Sequence, residues 1–140
     1  FSGLDGDAAE QYLLLWRLIM NASVTVDVRP NNLTTNQGQV HHVFSSAGAN
    51  AVVTTVTTVR IADCDASTIT GALYIYAKTG YERHFDGFDI ESRNTGGAHI
   101  QRTRTTRWTD TATNITALNV TCSGTNINVG SYMSLYKVAK

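Results

Sequence analysis

The four histidines, His41, His42, His84 and His99, are the side chains whose chemistry first suggests metal binding or proton transfer. His41 and His42 are neighbours, so on a strand they point to opposite faces, and no HExxH, CxxC or matching carboxylate completes a ligand set. A serine nucleophile would need a frame such as the Gly-x-Ser-x-Gly elbow, which is missing, as is a Gly-rich phosphate loop. Glu82, Asp86, Asp89 and Glu91 cluster in sequence, and two of them could flank a glycosidic bond. The preferred reading is four solvated loop carboxylates. Asp5-Gly6-Asp7 and Asp63-Cys64-Asp65 are acidic turns of a kind that can bind calcium, yet neither runs on into a ligand loop. Turn formation accounts for both. We therefore expect no enzyme, no metal and no cofactor.

The concentrated charge feature is basic: Arg102, Arg104 and Arg107, with Arg83, His84 and Arg93 nearby. Arg102 and Arg104 share a strand face that ends at Trp108. We expect that face to be solvated or, failing that, to meet an acidic protein patch, because Arg and Trp are favoured interface anchors. Nucleic acid is not expected as a partner, since 11 basic groups balance 11 acidic ones and leave a net charge of +0. Tyr74, Tyr76, Tyr132 and Tyr136 sit opposite Leu73/Ile75 and Met133/Leu135, where their rings would stack on sugars, seal an interface or complete a second layer. The candidate contact residues are Arg102, Arg104, Arg107, Trp108, Tyr74 and Tyr76. Asn-x-Ser/Thr triplets at Asn21, Asn32, Asn114 and Asn119 are close to chance in so Asn- and Thr-rich a chain.

At 140 residues the chain has room for a single domain, residues 1–140. Charged residues make up only 16%, against a usual ~25%, and Thr, Asn and Ser fill the polar share. No membrane partner is expected, because the longest apolar-rich stretch, Tyr12 to Met20, is short and broken by Arg17. Cys64 and Cys122 can make at most one bridge, and buried free thiols are the simpler reading. The chain begins at Phe1 rather than Met, so a preceding segment is expected.

Period-two alternation is the dominant local pattern. It predicts strands over Ser23–Arg29, with Val24, Val26 and Val28 inward, and over Gln39–Phe44, with Val40, His42 and Phe44 together. A further strand is expected over Ala51–Ala62. Thr70–Lys78 and Tyr81–Ile90 read as a hairpin about Thr79-Gly80. Ala98–Trp108, Ile115–Ser123 and Gly130–Val138 follow, separated by turns at 94–97, 110–114 and 124–128. Ala8–Met20 is rich in helix formers and has a possible capping box at Asp7 and Glu10. Its alternation nevertheless favours a strand buried on both sides. About eight strands at this spacing predict an all-β, antiparallel β-sandwich of jelly-roll-like form.

The opening Phe1-Ser2-Gly3-Leu4-Asp5-Gly6, the strand and turn Val28-Arg29-Pro30-Asn31-Asn32, the stretch Asn114-Ile115-Thr116-Ala117-Leu118 and the ending Gly130-Ser131-Tyr132-Met133-Ser134-Leu135-Tyr136-Lys137 together resemble small β-sandwich structural proteins of tailed bacteriophages. The resemblance implies a non-enzymatic virion component, either a capsid decoration or cementing protein or part of a tail or fibre. Its partners would be the major capsid protein or other virion subunits, and its location the virion, assembled in the host cytoplasm. A homo-oligomer, with a trimer as the specific expectation, would let one patch be used repeatedly about a symmetry axis. The rival reading is a receptor-binding module of a tail or fibre that recognises a glycan.

Overall fold

The computed structural model describes residues 1–34, 37–45, 58–93, 99–124 and 127–138, with backbone alone for 37–45, Cys64 and Arg93. Among these, one short helix, α1 (Gly6–Ala9), precedes nine strands: β1 (Gln11–Ile19), β2 (Val24–Pro30), β3 (Gln37–Ser45), β4 (Val59–Cys64), β5 (Ser67–Tyr76), β6 (Arg83–Arg93), β7 (His99–Trp108), β8 (Leu118–Cys122) and β9 (Tyr132–Lys137). Every pairing is antiparallel. Six strands form one sheet in the order β3-β7-β6-β5-β1-β9, and three form the other in the order β4-β2-β8. The architecture is an all-β sandwich.

The pairings are nested. β1 lies beside β9, β2 beside β8 and β3 beside β7, while β5 and β6 close the series as a hairpin. A folded-back ribbon wound round a core pairs its strands this way, which is the jelly-roll scheme. The difference lies in β5 and β6, which stay in the large sheet between β1 and β7. Only β4, β2 and β8 are left to cover it.

The helix-or-strand conflict at 8–20 resolves into both elements at different places. Asp5, not Asp7, caps the helix, its carboxylate accepting from the backbone N–H groups of Asp7 and Ala8. Asp7 instead accepts from the N–H of Thr79 at 2.7 Å. The helix stops after one turn because Glu10 adopts φ 61, and β1 starts at the next residue. Along β1 the chain buries Tyr12, Leu14, Trp16 and Leu18 completely and leaves Leu13, Leu15 and Ile19 half-buried. β1 holds this role because β5 and β9 flank it on both sides, so tertiary pairing overrides local helix propensity.

Between the sheets, Leu14, Leu18, Ile69, Leu73, Ile75 and Phe85 of the large sheet meet Val24, Val26, Val28, Val59, Ile61 and Leu118 of the small one. Trp16 lies over Gly71, its cross-strand partner. A Cβ at Gly71 would sit 2.3 Å from the indole and 2.5 Å from the Phe88 carbonyl, so only glycine fits there. Cys64 on β4 and Cys122 on β8 flank β2 on opposite sides. Two strand spacings, about 10 Å, separate them, beyond disulfide reach. The Cys122 thiol is free and half-buried.

Of the expected strands, residues 51–57 of Ala51–Ala62 lie outside the described residues, as do the loop at 94–97 and the orientations of Val40, His42 and Phe44. Each of the other expected strands has an observed counterpart, displaced by a few residues at its ends.

Candidate functional site

β6 reverses the usual sense of a half-buried strand. Alternation places Phe85, Gly87, Asp89 and Glu91 on the inner face and His84, Asp86, Phe88 and Ile90 on the outer one. Asp89 and Glu91 are fully buried, whereas Phe88 is 46% exposed and Ile90 39%. Charge has gone in and hydrocarbon has come out. The register explains why: Phe85 is locked opposite Ile75 and Thr106, and a one-residue slip would expel it.

The inward charges are neutralised by β7. Arg102 donates from Nη1 to Asp89 at 2.9 Å and from Nη2 to Glu91 at 2.8 Å, and Arg104 donates from Nε to Asp89 at 2.7 Å. Glu91 also accepts from the Ser67 hydroxyl at 3.0 Å and from the Asp65 N–H at 3.1 Å. Burial alone would raise the Glu91 carboxyl pKa, but the Arg102, Asp65 and Ser67 hydrogen bonds outweigh it and hold the group below the ordinary range. Burial likewise works against the Arg102 charge, and Glu91 and Asp89 overcome it and push the guanidinium up. The Arg104 Nη1 and Nη2 atoms are buried with no partner among the described residues.

Arg83, at the start of β6, is a separate buried cation. It donates from Nη2 to the Thr113 carbonyl, lies 5.1 Å above the Trp108 ring and has Asp110 3.9 Å away. Burial lowers its pKa, and the nearby acids only partly offset that. Its work is to pin the 109–113 turn and Trp108 to the hairpin.

These positions correct two expectations. The stripe of Arg102, Arg104 and Trp108 is not a solvated or partner-facing surface, since these side chains are 6%, 3% and 0% exposed. Sequence shows that they share a face but not which face, and paired acids on β6 draw that face inward. Asp89 and Glu91 are accordingly strand residues in the core rather than solvated loop carboxylates. Arg107 does face outward, on Glu82 at 3.2 Å, and Tyr74 and Tyr76 are exposed.

The outer face of the large sheet gathers what the stripe does not. Registered rows run Tyr136–Leu13–Tyr74–Asp86, then Ser134–Leu15–Ala72–Phe88, then Tyr132–Arg17–Thr70–Ile90. Tyr136, Leu13, Tyr74, Leu15, Ala72, Phe88 and Ile90 thus form a slanting apolar band across four strands, with Tyr132 beside it. Phe88 and Ile90 carry no chemical motif in the sequence. Their signal is parity: Phe85 and Phe88 on one strand cannot share a face. Among the described residues no three His, Cys, Asp or Glu side chains converge as a metal site.

Fold and site together define an all-β sandwich with a salt-bridged interior and an exposed aromatic sheet face. No family model, curated protein or solved structure matches the chain.

Proposed function

We propose that the protein is a non-enzymatic structural component of a phage virion that bridges neighbouring shell subunits through the outer face of its six-stranded sheet. The observation that carries this reading is the inverted strand β6, which spends Asp89 and Glu91 on the interior and presents Phe88 and Ile90 outside. Buried ion pairs are seldom more stable than hydrocarbon of the same volume. Register fixes which face each β6 residue takes, but stability gives no reason for acids rather than hydrocarbon at 89 and 91 or for hydrocarbon outside at 88 and 90. A partner that covers Phe88, Ile90, Tyr74 and Tyr136 accounts for the outer hydrocarbon. The virion setting rests on the sequence resemblance, and a trimer about a symmetry axis is the assembly we favour.

Particle reconstitution tests the proposal. Shells assembled without the protein lose resistance to heat and chelation and regain it on adding the wild type, but not on adding the Tyr74→Lys, Phe88→Lys double variant. Equal rescue by that variant, with its melting temperature intact, would refute the contact face.

A further inference from the structure

We infer that a cleft at one end of the large sheet is a binding site for a neutral saccharide, an activity beyond the contact role and independent of it. The cleft, of about 360 Å³, is bounded by Glu10, Gln11, Tyr76, Lys78, Tyr81 and Glu82. This lies at the small end of the range for small-molecule sites, roughly 300–1,000 Å³. Four segments meet there: the end of α1, the end of β5, the turn into β6 and the residues after β9. Tyr76 and Tyr81 are 43% and 67% exposed, so ring surface is available to a ligand.

A sugar ring offers a C–H face and a rim of hydroxyls, and the cleft offers the complement of both. Tyrosine rings receive the apolar face. Around them stand the carboxylates of Glu10 and Glu82, which accept hydroxyl donors, and the Gln11 amide, which both donates and accepts and has no partner among the described residues. The charges are held in place by cations, Lys78 on Glu10 at 2.8 Å and Arg107 on Glu82 at 3.2 Å. Each rim carboxylate is paired with one cation, so the cleft carries no net charge to attract an anionic sugar.

The walls are preorganised and closed to peptide-like recognition. Backbone N–H groups of Glu10, Ala77 and Val138 are already committed, to the carbonyls of Gly6 at 2.8 Å, Glu10 at 2.8 Å and Gln11 at 3.1 Å. A strand-adding peptide would need such groups free. Glu10 itself adopts φ 61, a conformation that favours glycine, yet the residue present supplies a carboxylate to the cleft.

The test screens the whole chain against an array of neutral and acidic oligosaccharides, followed by amide NMR titration with the strongest neutral binder. We expect selective retention of neutral glycans, with shifts centred on Gln11, Tyr76 and Tyr81. Tyr81→Ala and Gln11→Ala should each weaken binding about tenfold or more without lowering the melting temperature. Phe88→Lys, on the contact band, should leave binding unchanged, which separates this site from the proposed interface. Retention of no neutral glycan above the Tyr81→Ala background, equal binding of acidic glycans, or undiminished affinity in both cleft variants would overturn the assignment.

Discussion

β1 and β6 belong to the same sheet, with only β5 between them, and they solve opposite problems. β1 turns Tyr12, Leu14, Trp16 and Leu18 into the sandwich, whereas β6 turns Asp89 and Glu91 inward and leaves Phe88 and Ile90 outside. One interior therefore has a hydrocarbon half under β1 and β5 and an ionic half at β6 and β7. The hydrocarbon half supplies stability that grows with area removed from water. The ionic half must first offset desolvation, so its net contribution is small while the penalty for breaking it is large. What it fixes is geometry: Asp89 grips Arg102 and Arg104 together, which holds β6 and β7 in the one register that presents the outer band.

That contrast makes Asp89→Leu the most damaging single change expected in the ionic half. Removing the acid strands the buried Arg104 guanidinium, leaves Arg102 with Glu91 alone, and should cost about 3–5 kcal/mol, read from the denaturant midpoint. Leu14→Ala, in the hydrocarbon half, should cost about 3 kcal/mol through lost transfer energy and a cavity. Coupling distinguishes the halves further. Adding Arg104→Leu to Asp89→Leu removes the stranded charge while Arg102 keeps Glu91, so the double variant should be more stable than Asp89→Leu alone. An additive loss would mean that Asp89 and Arg104 are not coupled, against the view taken here. Gly71→Ala should cost about 1–3 kcal/mol, because the new methyl collides with Trp16 and with the Phe88 carbonyl.

Of the two halves of the interior, acid should act on the ionic one. Glu91 has its pKa lowered by folding, so the native state binds its proton more weakly than the unfolded chain does. Its stabilisation is complete above the unfolded value of about 4.3 and is lost as pH falls through the lower folded value. Thermal melts should therefore fall more steeply below about pH 4 in the wild type than in Glu91→Gln. Parallel curves would remove Glu91 from the account. The smallest effect on stability is expected from Phe88→Lys, within about 0.5 kcal/mol, since that side chain already faces water.

Period-two patterning exposes the sandwich in this sequence because most strands carry it cleanly: Val24, Val26 and Val28 leave no doubt about their face. It fails at β6 and β7, where alternation is present but polarity is reversed. Arg102 and Arg104 look like surface residues until Asp89 and Glu91 are seen to lie in register with them. That partnership is a fact of pairing between strands, and no local pattern encodes it. Phe88 and Ile90 carry no signal in the sequence beyond being apolar residues out of phase with Phe85. The cleft draws Glu10, Tyr76, Tyr81 and Glu82 together from separate segments, so sequence marks Tyr76 as a candidate contact and Glu82 as a clustered carboxylate but not their meeting.

Hydroxyl-radical footprinting of the protein free and in its native assembly tests the central claim most directly, because aromatic side chains report their own exposure. The account requires Tyr74, Phe88 and Tyr136 to be oxidised in the free protein and protected on assembly, with Trp108 protected in both. Equal oxidation of the outer band in the two states, or protection confined to another face, would contradict it.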